Sequence, residues 1–207
     1  MESDVRGVAL ILCAPSATGK STLIKRLTSE FPDFAFSISY TTRPPRSGEQ
    51  DGREYHFVSR EEFIQLTERN FFAEWAQVHS NFYGTPLRQT LDRLAAGRDM
   101  LFDIDVQGAR QLKENLKVGA YVFLLPPSKS ELKRRMDVRD SESEAVRAER
   151  LQKARDEIRL AREFDYWIVN DDLDRAYASL RCVYQAEKCR PKRNEQLLAQ
   201  LLAEWEE

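Results

Sequence analysis

No apolar run in the 207-residue chain is longer than Val8–Ala14, whereas a membrane-crossing helix needs roughly 18 such residues. The opening Met1-Glu2-Ser3-Asp4 carries no basic stretch ahead of an apolar one, so no export signal is expected there. Cysteine is scarce. Cys182 and Cys189 lie on one expected helix, separated by roughly 10 Å of rise, too far to bridge, and with Cys13 they make an odd set without metal-ligand spacing. That usage fits a reducing cytoplasm. Neither sign of charge is in excess: 32 Lys+Arg stand against 34 Asp+Glu. Affinity for anions must therefore come from local clusters, and a general nucleic-acid coat is disfavoured. The two histidines, His56 and His79, have no catalytic partner close in sequence and read as structural. There is no internal repeat and no low-complexity tract. What remains is a 42% hydrophobic chain, enough to bury one core carrying two small insertions.

The apolar run Val8–Cys13 is flanked by Gly7 and a Pro/Ser/Gly stretch, the pattern of a strand covered on both faces in a parallel sheet. Leu23, Ile24, Leu27 and Phe31 then recur at helical spacing. Further buried strands are expected at Met100–Ile104, Ala120–Leu125 and Tyr166–Val169, followed by helices at Gln107–Leu116, Ser128–Met136 and Leu173–Lys188, with a last amphipathic helix near Asn194–Trp205. Strands alternating with helices indicate a parallel α/β sheet. Two stretches depart from that texture. From Phe36 to the aromatic run ending at Tyr83, short strands surround a Pro/Gly/Arg loop, which reads as a small mixed insert. From Arg139 to Glu163 a highly charged helical segment opens with the capping box Ser141-x-x-Glu144 and has few apolar anchors, chiefly Val146, Leu151, Ile158 and Leu160.

Between the first strand and helix lies Ala14-Pro15-Ser16-Ala17-Thr18-Gly19-Lys20-Ser21. It fits the phosphate-binding pattern G-x-x-x-x-G-K-[ST] at Gly19, Lys20 and Ser21, with alanine where the first glycine should stand. Backbone N–H groups and a helix N-terminus cradle phosphate oxygens there, lysine supplies a point charge between the β- and γ-phosphates, and the serine hydroxyl is a Mg²⁺ ligand. A Cβ at Ala14 is expected to crowd the turn.

This loop, then Phe36-Ser-Ile-Ser39-Tyr-Thr-Thr-Arg43-Pro-Pro-Arg46-Ser-Gly-Glu, Glu74-Trp-Ala, Val78-His, Tyr83-Gly-Thr85, Asp103-Ile-Asp105-Val-Gln-Gly, Pro126-Pro-Ser and Val169-Asn170-Asp171-Asp172-Leu together resemble guanylate kinase, in order, from about Gly7 to Glu187. The resemblance implies a parallel-sheet P-loop kinase core (1–36, 98–138 and 164–207), a small mixed α/β GMP-binding insert (37–97) and a mobile helical lid (139–163). It implies transfer of the ATP γ-phosphate to GMP, with dGMP as a second acceptor, assisted by Mg²⁺, in the cytoplasm and without a nucleic-acid or membrane partner.

Residue by residue, the resemblance places ATP on Ala14 to Thr22, with Asn170 and Asp171 at its adenine end. Arg43 and Arg46 on the stiff Pro-Pro loop bind the acceptor's phosphate with Tyr55 and Tyr83, since guanidinium forks match phosphate. Glu74 accepts from guanine's N1–H and 2-amino group, donors that adenine lacks in that arrangement, and Ser39 and Thr85 add hydroxyl contacts. Asp103 and Asp105 are expected on one strand with different jobs, Asp103 with the metal beside Ser21, Asp105 with GMP. Arg135, Arg139 and Arg150 join Lys20 and Arg43 as the catalytic cations. Competing readings are a catalytically weak guanylate-kinase-like protein-binding module and a related kinase for another acceptor. Ala14, Ala17 and Asp140, where the family usually has glycine, favour the first; intact Lys20 and Ser21 oppose it, and Glu74 with Thr85 and Asp105 opposes the second.

Overall fold

The computed structural model describes residues 6–35, 37–78, 80–139 and 144–206, without the side chains at 138, 139, 144 and 145. In chain order the described elements are β1 (Ala9–Cys13), α1 (Lys20–Glu30), β2 (Tyr40–Thr41), β3 (His56–Phe57), α2 (Arg60–Glu68), β4 (Phe72–Val78), β5 (Asn81–Pro86), α3 (Leu87–Ala95), β6 (Met100–Asp103), α4 (Val106–Leu116), β7 (Ala120–Leu125), α5 (Lys129–Arg139), α6 (Glu144–Arg159), β8 (Tyr166–Val169), α7 (Leu173–Lys188) and α8 (Glu195–Trp205). A 3₁₀ turn, Leu160–Glu163, joins α6 to β8. No described helix is long and apolar enough to cross a membrane.

The first sheet has the order β6-β1-β7-β8 and is parallel throughout. All five residues of β1 are buried. Ile11 and Cys13 pack on one face with Phe102, Tyr121, Phe123 and the apolar side of α4, while Leu10 and Leu12 pack on the other with Leu23, Leu27 and α7. Strand residues that alternate between two covered faces must all be apolar, which accounts for the unbroken run Val8–Cys13. The second sheet, β3-β2-β5-β4, is mixed and smaller. One of its faces is aromatic: Phe72 and Phe82 stack on Phe63 of α2, with Tyr40 and Phe71 at the margin.

The structure corrects the sequence reading at Asp105. β6 ends at Asp103, and Asp105 has left the strand to cap α4, its Oδ1 accepting from Gly108 N at 2.9 Å. Residues two apart on a strand share a face, so it is this departure from the strand that separates Asp105 from Asp103. α3 was not anticipated, and of the short strand expected from Phe36 up to the Pro/Gly/Arg loop the described residues pair only at Tyr40–Thr41. Among the four apolar anchors assigned to the charged segment, Val146 is exposed, whereas Ala154 and Ala161, not assigned, are buried. Ser141 of the capping box lies outside the described residues, as does His79.

One buried carboxylate ties the chain ends together. Asp99 accepts from Val8 N at 2.7 Å, from the Tyr184 hydroxyl at 2.6 Å and from the Lys188 ammonium at 2.7 Å. Burial alone would push its pKa up, but Lys188, then Tyr184 and Val8 N, outweigh it and hold the carboxyl below its ordinary 3.8. Asp99→Asn should cost about 2–4 kcal/mol, because Lys188 and an amide built for an anion lose their partner. A folded pKa below the unfolded one means that the contribution is present above pH 3.8 and fades as pH falls through the lowered value. Chemical denaturation at pH 7 and near pH 3 should show a large gap between wild type and Asp99→Asn at the first and a narrowed gap at the second.

Candidate active site

β1 delivers its chain into the loop Ala14–Ser21 at the C-terminal edge of the parallel sheet, where open α/β sheets place ligands. The loop is closed on itself by Thr18, whose hydroxyl donates to the Pro15 carbonyl at 2.7 Å. It is pinned from behind by Asn170, whose Nδ2 donates to the Thr18 carbonyl at 2.7 Å. Gly19 stands at φ +94°, and a Cβ there would lie 2.4 Å from Asn170 Nδ2, so both the backbone and the approach require glycine. Ala14 adopts no left-handed conformation and packs partly buried against the α1/α7 side of the core. Ala17 stands in the left-handed region at φ +64°, a strained position for a residue with a Cβ.

Lys20 begins α1, and its ammonium lies 2.6 Å from Asp103 Oδ1 and donates to the Ile104 carbonyl at 3.1 Å. Ser21 and Thr22 follow, exposed on the first turn of the helix. Asn170 is buried and its side chain is engaged with the loop, while Asp171 is exposed and paired with Arg175. Arg135 donates to the Asn170 carbonyl at 2.9 Å and to Glu131 at 2.8 Å, and Arg134 with Arg135 holds the Glu131 carboxyl down at about 2. Arg150 of α6 reaches Ser16 Oγ at 2.6 Å. Ala17 packs with Leu132, Met136 and Ala154, so α5 and α6 sit directly on the loop. Arg139 closes α5, and its side chain lies outside the described residues.

Strand register builds the second half of the site. β5 places Thr85 opposite Glu74 and Gly84 opposite Tyr40, so Thr85 lies beside Ser39. The result is a polar row: the Thr85 hydroxyl donates to Glu74 Oε1 at 2.6 Å, and Ser39 Oγ lies 3.5 Å from Thr85 Oγ1. Phe72 and Glu74 are two apart and would share a face in a regular strand. A β-bulge between them breaks that rule. Phe72 keeps to the aromatic face, Ala73 sinks into the main core, and Glu74 turns to the polar row. Glu74 is 8% exposed, and burial raises its pKa, with Asp105 adding to the rise against the Thr85 bond.

Two residues along β5, Tyr83 meets Tyr55 edge-on at 5.9 Å. The Arg43 guanidinium lies over Tyr55 at 5.5 Å, with the Tyr83 hydroxyl beside it. Sequence reading left Glu49 without a role. Its carboxylate takes a two-pronged bond from Arg43 at 2.9 and 3.0 Å and a third from Arg46 N at 2.7 Å, so it aims the arginine loop. Gly48, at φ +89°, lets the chain turn back for this, a signal present in the Ser-Gly-Glu spacing. The Arg46 side chain is exposed on the same loop. Glu157 of α6 was likewise given no role. It is half-buried within electrostatic reach of Lys20 and Asp105, and burial raises its pKa.

The two halves share one border. Asp103 and Ile104 hold Lys20, and four residues on, Gly108 brings the first turn of α4 against Glu74, where an added Cβ would lie 3.2 Å from Glu74 Oε2. A guanylate kinase family model matches residues 6–187. The chain belongs to the guanylate kinase family. It is 57% identical to the guanylate kinase of Nitratidesulfovibrio vulgaris over 99% of both chains, and 56% identical to that of Oleidesulfovibrio alaskensis over 96% of this chain and 97% of that one. Among solved structures, the guanylate kinase of Anaplasma phagocytophilum superposes with a TM-score of 0.65 at 34% identity, covering 91% of this chain and 90% of the other.

Proposed function

We propose that this protein transfers the γ-phosphate of ATP to GMP, and to dGMP as a second acceptor, giving ADP and GDP. The observation that carries the reading is the shared border: the segment 103–108 touches both the lysine of a phosphate loop and the carboxylate of a buried hydroxyl-lined row. In this reading the core is 1–36, 98–138 and 164–207, the acceptor insert 37–97 and the lid 139–163. The triphosphate lies along Ala14–Thr22, with the adenine toward Asn170 and Asp171. The acceptor's base meets Glu74, Thr85, Ser39 and Asp105, and its phosphate meets Arg43, Arg46, Tyr55 and Tyr83.

An acceptor phosphate oxygen attacks the γ-phosphorus in line, the bond from that phosphorus to the β–γ bridging oxygen breaks, and ADP leaves with the electron pair. No side chain becomes covalently attached. The chain positions both nucleotides and neutralises charge with Lys20, Arg43, Arg135, Arg139 and Arg150, and the lid excludes water that would waste ATP. Ser21 and Asp103 fit a Mg²⁺ bound with the phosphates: both are hard oxygen donors, Ser21 exposed on α1 and Asp103 44% exposed at the end of β6 beside Lys20. When bound, Mg²⁺ offsets charge on the β- and γ-phosphate oxygens. The setting is cytoplasmic.

ADP release with ATP and a panel of GMP, dGMP, AMP, UMP and ribose phosphates tests the proposal. GMP should exceed AMP in kcat/KM by on the order of 10³ or more, because AMP leaves Glu74 without its paired donors. If no acceptor stimulates ADP release, the protein-binding alternative takes its place.

A further inference from the structure

Beyond residue 187, where the family match ends, the chain forms α8. Its apolar residues face the wrong way for a helix packed on its own protein. Leu197, Leu198, Leu201, Leu202 and Trp205 are 47–88% exposed, and no residue of the helix is buried. At 100° per residue these five fall within an arc of about 140°. Gln196 and Ala199, on the other side, line a cavity of about 480 Å³ against Arg6 and Arg193, and Gln196 accepts from Arg6 at 3.2 Å. The polar side thus faces the body and the leucine stripe faces solvent.

We propose that this stripe is the contact of a two-fold dimer, α8 of one copy lying antiparallel on α8 of a second. Three observations select that occupant. Weighted by exposure, the five side chains present on the order of 600 Å² per copy, so a pair that covered them fully would bury at most roughly 1,200 Å², the lower end of stable specific interfaces. The exposed charges at the two ends are opposite: Arg190, which also pairs with Glu187 of its own chain, and Lys192 precede the helix, while Glu204 and Glu206 close it. An antiparallel pair sets each acidic end beside the other's basic run, whereas a parallel pair sets like against like. Finally, α8 itself holds Glu195 and Glu204 and no Lys or Arg, unlike the basic helices that anionic lipid surfaces attract.

Sedimentation velocity of the full chain from about 1 to about 200 μM should show a monomer converting to a dimer in the micromolar range. Leu198→Glu with Leu202→Glu should weaken association at least tenfold and leave kcat and KM for both substrates unchanged, since these side chains touch neither half of the site. Glu204→Lys with Glu206→Lys, which keeps every leucine, should weaken it less, and more so at low salt than at high. It serves as the test if the leucine variant melts early. A wild type that stays monomeric throughout, a dimer indifferent to both variants, or a monomer that cosediments with phosphatidylglycerol vesicles would each overturn the proposal.

Discussion

Lys20→Ala is expected to lower kcat by a factor on the order of 10² to 10³ while the melting temperature moves by only about 2 °C. The two halves of that expectation have different physical sources. Lys20 is paired with Asp103 at 2.6 Å, but the carboxylate is 44% exposed, and ion pairs of that exposure contribute about 1 kcal/mol or less to folding. Asp103 loses its partner at an edge that water reaches, so the fold has little at stake. The loop does not depend on the lysine either: Thr18 closes it and Asn170 pins it. In the proposed reading, transfer loses the cation that follows charge from the γ-phosphate to the leaving ADP. Steady-state kinetics with saturating GMP, alongside a thermal melt, checks both halves. Turnover within about fivefold of wild type would remove the phosphate role from Lys20, and an early melt would mean that the pair is structural.

Sequence was most readable where one constraint acted alone. β7 and α7 begin and end where apolar runs and helical spacing put them, because a doubly covered strand tolerates no polar residue and an Asp172 side chain caps the helix. β8 keeps its expected bounds too, but as an edge strand it buries Ile168 and leaves Trp167 and Val169 exposed, not the fully buried strand its apolar run suggested. Asp105 was misread because two expectations competed: continuation of the strand past Asp103, and the preference of aspartate for a helix N-cap, which won. The bulge at Ala73 was invisible for a related reason. Phe72-Ala-Glu-Trp has no glycine or proline to announce a break, and only the opposed burial demands of Phe72 and Glu74 require one. Ala154 looked like spacing on a charged helix, and its burial depends on Ala17, which comes 137 positions earlier in the chain. Ala17 itself shows the cost of reading a family pattern as a rule: at φ +64° it takes up mild strain, and its methyl gives α5 and α6 something apolar to sit on. α8 was read correctly as amphipathic, but no sequence signal says which side of an amphipathic helix faces its own protein.

The other large effect belongs to Glu74→Gln, for which kcat/KM toward GMP should fall by a factor on the order of 10² to 10³ with ATP binding unchanged. In the proposed reading the carboxylate offers two acceptor oxygens to two guanine donors; glutamine keeps one and points an N–H₂ at the other donor, so a bond is lost and a repulsion is gained inside a buried site. The amide still accepts the Thr85 hydroxyl at the position Glu74 Oε1 now holds, which should spare the row itself. pH separates this cause from a general loosening of the insert. Burial raises the Glu74 pKa above its ordinary 4.5, and it is the ionised form that pairs with guanine. KM for GMP should therefore climb as pH falls through that raised value, by about tenfold per unit for a single protonation, whereas KM for ATP should not. Glutamine has no proton to gain, so its profile should be flat over the same range. Equal losses on both nucleotides, or an acid limb that persists in Glu74→Gln, would place the base-reading group elsewhere. Asp105 would be the first to test, since its carboxylate is near enough to Glu74 to raise that pKa further and is already committed to capping α4.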